Sequence, residues 1–301
     1  MQEFLQQLVN GLTMGSVYAL VALGYTMVYG ILKLINFAHG ELFMLGGFFG
    51  LTWLTASAFS GLLKSPLLGL LVLFLLVMAM VAVIGVLLDR VAYKPLRRSP
   101  RLTAVVSALG ASIFLQNAVM LVFGSGYLVF PDVARDIYWM VGGVKITLMR
   151  VIIFLVAVCF MVGLYLLVQK TQLGAAMRAA SLDHDTSRLM GIDVDKIIML
   201  VFVIGPALGA AAGLMVGLYY RQINFAMGWT YGIRAFTAAI MGGIGNIPGA
   251  MIGGLLLGII ETLGAGYISA TWKDAISFAI LIFILIWRPT GLLGERVADK
   301  V

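Results

Sequence analysis

From Ser65 to Leu88 the chain carries no charged residue, and this run is one of several like it. Further apolar stretches lie near 8–31, 37–59, 102–124, 147–168, 197–220, 229–244, 249–268 and 274–288. A bilayer-spanning helix needs about 20 such residues, so most of these runs are long enough to cross. They are continuous rather than alternating every second residue, which points to helices and away from a β-barrel. At 62% hydrophobic and 11% charged residues, a soluble fold could not bury this much apolar surface. The expected fold is an all-α polytopic membrane protein with about eight or nine membrane segments, some broken or half-spanning. Residues 1–301 are read as a single transmembrane unit.

The net charge of +7 is informative by position. Arg90, Lys94, Arg97, Arg98 and Arg101 form one basic stretch, Lys170, Arg178, Arg188 and Lys196 a second, and Arg288, Arg296 and Lys300 the tail. The positive-inside rule places all three in the cytoplasm. Residues 125–146, with Pro131, Asp132, Asp136 and Trp139, then face outside, as does the N-terminus. The first ten residues lack Lys and Arg, so they do not resemble a secretory leader and are expected to be retained. The four apolar stretches after Lys196 are read as not all crossing fully, with one a half-helix or two forming one broken span. The single cysteine, Cys159, excludes an intrachain disulfide.

Polar residues inside apolar runs are costly unless they pair or line a wet path. Ile35-Asn36-Phe37-Ala38-His39-Gly40-Glu41 concentrates three of them and holds one of only two histidines. Asn36 and His39 share a face if the stretch is helical, while Gly40 favours a break. Two readings stand: a translocation path or gate, and a structural pairing at the membrane boundary. Arg234 and Glu261 are the other candidates for a path. A buried pair between them is one arrangement, but separate boundary or cavity positions are favoured. Arg221 reads as a boundary anchor, Asp89-Arg90 as the inner end of a span and Lys273-Asp274 as the outer start of the last one.

The segment Ile223–Gly228 repeats Ile35–Gly40 at five of six positions. A true repeat separated by five spans would be inverted in the membrane. The flanks align poorly, and coincidence is the favoured reading. Gly205, Gly209, Gly213 and Gly217 recur every fourth residue, as do Gly245, Gly249 and Gly253. That spacing puts each set on one helix face, for packing within this subunit or against a second one. Gly242–Gly249 reads as a helix break.

No phosphate-binding loop of the Gly-x-x-x-x-Gly-Lys-[Ser/Thr] type, zinc-like Cys/His cluster or nucleophile–base pair is apparent, so no catalytic or metal residues are assigned. Residues 172–192 read as two short helices joined near Asp183, with Ser181 or Asp183 as a cap and Gly191 as a stop. Gly174, Arg178-Ala179, Asp183 and Gly191-Ile192 resemble the cytoplasmic coupling segment of ABC importer permeases of the branched-chain amino acid (LivH) type. Ile35–Glu41, Gly24–Gly30, Ala235–Ala239 and Gly242–Gly254 resemble the same family in the same order. Ala175 and Thr186-Ser187 depart from its usual arginine and alanines.

The resemblance implies a non-catalytic permease subunit in a bacterial inner membrane. It also implies a second, LivM-like permease, two cytoplasmic ATPases that bind ATP and Mg, and an external substrate-binding protein. Residues 169–196 would be the coupling segment, with Gly174, Arg178, Ala179, Asp183 and Gly191 as its contact set. Branched-chain or related neutral amino acids are the expected cargo, with urea or short amides as the substrate alternative. An ion- or proton-coupled secondary transporter using His39, Glu41 and Glu261 is the competing mechanism, and a non-transporting scaffold a third class.

Overall fold

The computed structural model describes residues 1–56, 66–97, 99–131 and 137–294. Asp132, Asp136, Arg98, Arg296 and Lys300 lie outside them. Among the described residues, six helices are long and apolar enough to cross a membrane: α1 (Gln2–Leu32), α3 (Pro66–Leu88), α4 (Arg101–Phe123), α5 (Leu148–Lys170), α8 (Val194–Tyr220) and α10 (Ile247–Tyr267). Three shorter apolar helices lie among them: α2 (His39–Thr55), α9 (Met227–Gly242) and α11 (Lys273–Trp287). The chain is therefore a multi-pass membrane protein. Two short helices, α6 (Gln172–Leu182) and α7 (His184–Leu189), link α5 to α8.

The bundle has two distinct ends. At the basic end the α1–α2 turn meets the segment after α3, α6–α7 and the Gly243–Asn246 turn. Contacts there include Tyr93 to Asn36, His184 to Ile31 and Gly245 against Gly30. At the opposite end the start of α1 meets residues 138–147, where Gln6 bonds the backbone of Lys145. There β2 (Tyr138–Val141) pairs with β3 (Val144–Thr147), and β1 (Leu128–Val129) pairs with β4 (Gln222–Ile223) in the α8–α9 turn. A chain that begins and ends on one side crosses an even number of times. Helices α8 to α11 alternate in direction between the two ends, and among the described residues α8 and α10 are the two of these four that are long enough to cross alone. The limit is length: α9 and α11 hold 16 and 15 residues, about 24 and 22 Å of helix, against a hydrocarbon core of about 30 Å.

The short sequence echo is a true inverted pair, contrary to the favoured reading. Lys33 closes α1 at φ 52° and Arg221 closes α8 at φ 56°, the only non-glycine residues with positive φ among those described. Three residues later, Asn36 Oδ1 accepts from the Ala38 N–H at 3.0 Å and Asn224 Oδ1 from the Ala226 N–H at 3.1 Å. Each asparagine turn starts the next helix at its equivalent residue, His39 or Met227. The pairing extends outward, because α1 packs along α10 while α3 packs along α8. At the centre, Gly40 and Gly228 oppose each other backbone to backbone, and Phe43 stacks on Tyr231 at 5.0 Å. The two copies, α1–α3 and α8–α10, run in opposite senses.

The glycine faces serve packing within this chain. Gly205 and Gly209 face His39, Gly213 faces the Phe43 carbonyl, and Gly217 the Phe130 ring. Gly249 and Gly253 lie against Gly242. Gly245 is not on that helix face: it sits in the turn before α10 at φ 96°, a conformation that favours glycine.

Candidate functional site

The first polar cluster lies where α2 begins. Asn36 precedes the helix rather than sharing a face with His39, and Gly40 lies inside its first turn rather than breaking it. Asn36 Oδ1 also accepts from the Tyr93 hydroxyl at 2.7 Å, tying the α1–α2 turn to the π-helical turn Asp89–Tyr93 that ends α3. His39 is 0% exposed. Its ring stands edge-on to Tyr25, with centroids 4.8 Å apart, in space left by Gly24, Gly205 and Gly209. A Cβ on Gly24 would collide with His39 Nε2. Glu41 is enclosed too and accepts a long bond from Ser112 at 3.3 Å. Asn36 Nδ2, both His39 ring nitrogens and Glu41 Oε2 are buried without a well-formed hydrogen bond among the described residues; the Val21 carbonyl faces the His39 ring. Leaving buried polar atoms unmatched is costly, so this cluster is unsatisfied as it stands.

The second cluster is nearly complete. Arg234 and Glu261, expected at separate positions, form an ion pair at 3.4 Å. Glu261 is 2% exposed and also accepts from the Tyr18 hydroxyl at 2.8 Å, with Lys273 Nζ at 3.1 Å. Arg234 reaches Asp274 through two bonds of 2.8 and 3.0 Å. One ionic knot thus joins α1, α9, α10 and the start of α11. Its cleft is completed by Thr237, Ser277 and the apolar Leu257 and Phe278. Tyr18, Lys273 and Asp274 were not predicted as members of this cluster. The charges at 273–274 signalled a boundary, but nothing along the chain linked them to Arg234.

The third region is α6–α7. Thr171 caps α6 by accepting from the Gly174 N–H at 3.0 Å, and Gly174 fits where its Cβ would strike the backbone of Leu167 and Val168. Asp183 caps α7 through the N–H groups of Asp185 and Thr186, and Gly191 ends the segment at φ 84°. Ala180 is buried and Ala179 half-buried. The Arg178 guanidinium donates to the Val168 carbonyl, so Arg178 and Asp183 both have partners inside this chain. The side chains that protrude are Leu182, Leu189 and Met190, at 89%, 87% and 79% exposure. Asp193 caps α8, and Lys196, 3.0 Å away, holds its carboxyl below the usual carboxylate range. No group of three or more metal-ligating side chains occurs among the described residues.

The family model described as branched-chain amino acid transport system / permease component matches residues 7–285. The chain is 46% identical to the high-affinity branched-chain amino acid transport system permease protein BraD of Pseudomonas aeruginosa, over 99% of this chain and 98% of that one. It is 45% identical, with the same coverage, to the permease LivH of Escherichia coli K12. A partial match, 28% identical over 142 residues, is to the probable branched-chain amino acid transport permease LivM of Methanocaldococcus jannaschii. No solved structure matches the chain. The chain belongs to the permease family of branched-chain amino acid transport systems.

Proposed function

We propose that this chain is the membrane-spanning subunit of an ATP-driven importer for branched-chain or related neutral amino acids. The observation that carries this is the identity of 45–46%, over 99% of the chain, to permeases named for that transport. The basic end faces the cytoplasm by the positive-inside rule, with the N-terminus outside and nine membrane segments in an inner membrane. Two partner ATPases bind ATP and Mg, a second, LivM-like permease completes the pathway, and an external binding protein delivers cargo. This subunit performs no catalysis. The partial similarity to a LivM protein supports two related permeases working together.

ATP can drive transport only by favouring one permease conformation over another through differential contacts. The protruding Leu182, Leu189 and Met190 supply an apolar face for such a contact. Gly174 and Gly191 set the corners of the segment, while Arg178 and Asp183 hold its shape. The unsatisfied cluster of Asn36, His39 and Glu41 and the knot of Arg234 and Glu261 are the two candidate gates, one in each inverted copy.

Co-expression with the two ATPases, the second permease and the binding protein tests this reading. Recovery of one complex, with leucine uptake that requires ATP and is not displaced by urea or acetamide, is the expected result. Uptake by this chain alone, driven by an ion gradient in ATP-free vesicles, would instead establish the secondary transporter that His39, Glu41 and Glu261 first suggested.

A further inference from the structure

We propose that His184 is the positioning residue through which movement of the α6–α7 segment reaches the α1–α2 turn. The inference rests on the reading of residues 169–196 as a coupling segment. The last four carbonyls of any helix lack partners within it. At the end of α1, the Tyr29 carbonyl is taken by the Lys33 N–H at 2.9 Å. The carbonyl of buried Ile31 is met instead by His184 Nε2, also at 2.9 Å. A carbonyl only accepts, so Nε2 carries the proton and donates. His184 is the first residue of α7, and its neighbours from Leu182 to Thr186 are exposed while it is half-buried toward α1.

The contact continues into a chain of polar ties at the basic end. Lys33 turns the backbone at φ 52°, and the turn's Asn36 holds Tyr93 at 2.7 Å. In the same π-helical turn as Tyr93, Asp89 takes Arg97 at 2.7 Å, and Arg97 reaches Asp195 at the start of α8 at 2.5 Å. Asp195 faces back to α7 through Arg188 at 3.9 Å. Among the polar contacts of the described residues, helix α7 meets α1 through a short hydrogen bond and α8 through a long ion pair. The short link leads to the turn that immediately precedes His39 and Glu41. A sideways shift of α7 that keeps the His184 bond must pull the end of α1. Without it, α7 slides past.

The test uses the assembled transporter in proteoliposomes and reads leucine molecules taken up per ATP hydrolysed, on equal amounts of complex. His184→Ala and His184→Leu, the second keeping side-chain volume without a donor, should lower this ratio about fivefold or more. His184→Gln, whose amide nitrogen can replace Nε2, should restore most of it. An unchanged ratio in the Ala and Leu variants would overturn the proposal. So would a Gln variant as uncoupled as Leu, or Ala and Leu variants that cannot assemble with the ATPases, since His184 would then serve docking alone. Failure of the wild-type chain to assemble with ATPases at all would count against the importer reading instead.

Discussion

The two inverted copies share a turn and differ in what they bury. Each turns through a left-handed residue, closes an asparagine turn and starts a helix. The first copy then buries His39 and Glu41, with an acid that has no basic partner and ring nitrogens that have no well-formed hydrogen bond among the described residues. The second has Met227 and Trp229 at the equivalent positions and places its charge deeper, where Arg234, Lys273 and Tyr18 surround Glu261. One backbone frame therefore carries one unsatisfied cluster and one nearly satisfied knot. A buried cluster left unsatisfied gains more from a change of conformation than one whose polar groups are already paired.

Substitutions can break this comparison at its shared centre or along its difference. Gly40→Val and Gly228→Val should have the largest effect, because each side chain would enter the opposing backbone. Overpacking costs of about 1–3 kcal/mol or more are expected, enough to lose folded protein from detergent extracts. The comparison predicts similar loss from both, and a tolerated substitution at either would refute a shared central contact. Next, Arg234→Ala should destabilise by about 3 kcal/mol, the lower range for breaking a buried pair, because Lys273 and Tyr18 remain beside Glu261. Glu41→Gln should leave the thermal midpoint unchanged or raise it, since it removes a buried carboxyl group that has no ion pair among the described residues. Equal destabilisation by these two changes would erase the distinction between the clusters. The smallest pair is Asn36→Ala and Asn224→Ala, each costing about 1 kcal/mol for a lost turn hydrogen bond. Asn36→Ala should cost the more, because it also frees the Tyr93 hydroxyl. Thermal unfolding in one detergent measures the whole series.

Much of the architecture was legible because the bilayer imposes it. The charge-free run Ser65–Leu88 and its counterparts declared the spans, and residues 172–192 showed two short helices joined near Asp183 with a stop at Gly191, Asp183 rather than Ser181 proving to be the cap. The inverted repeat was visible only as a six-residue echo. The asparagine turn constrains just those residues, while the flanking helices meet different neighbours and keep no common sequence. The chemistry of His39, Glu41, Arg234 and Glu261 stood out, since charge in an apolar run is conspicuous. Their partners did not. Tyr18 meets Glu261 across 243 positions of sequence, a proximity that only the folded helices create. Gly245 was misplaced because a spacing of four is also met by chance where a turn adjoins a helix.

The proposed function has this chain move amino acids only as the membrane part of an ATP-driven assembly. Its most direct test is uptake of radiolabelled leucine into proteoliposomes holding the two permeases and two ATPases, with ATP on the ATPase side and loaded binding protein on the other. Accumulation that stops when ATP is replaced by a non-hydrolysable analogue is the predicted result. Accumulation that continues without hydrolysis and follows an imposed proton or sodium gradient would contradict it.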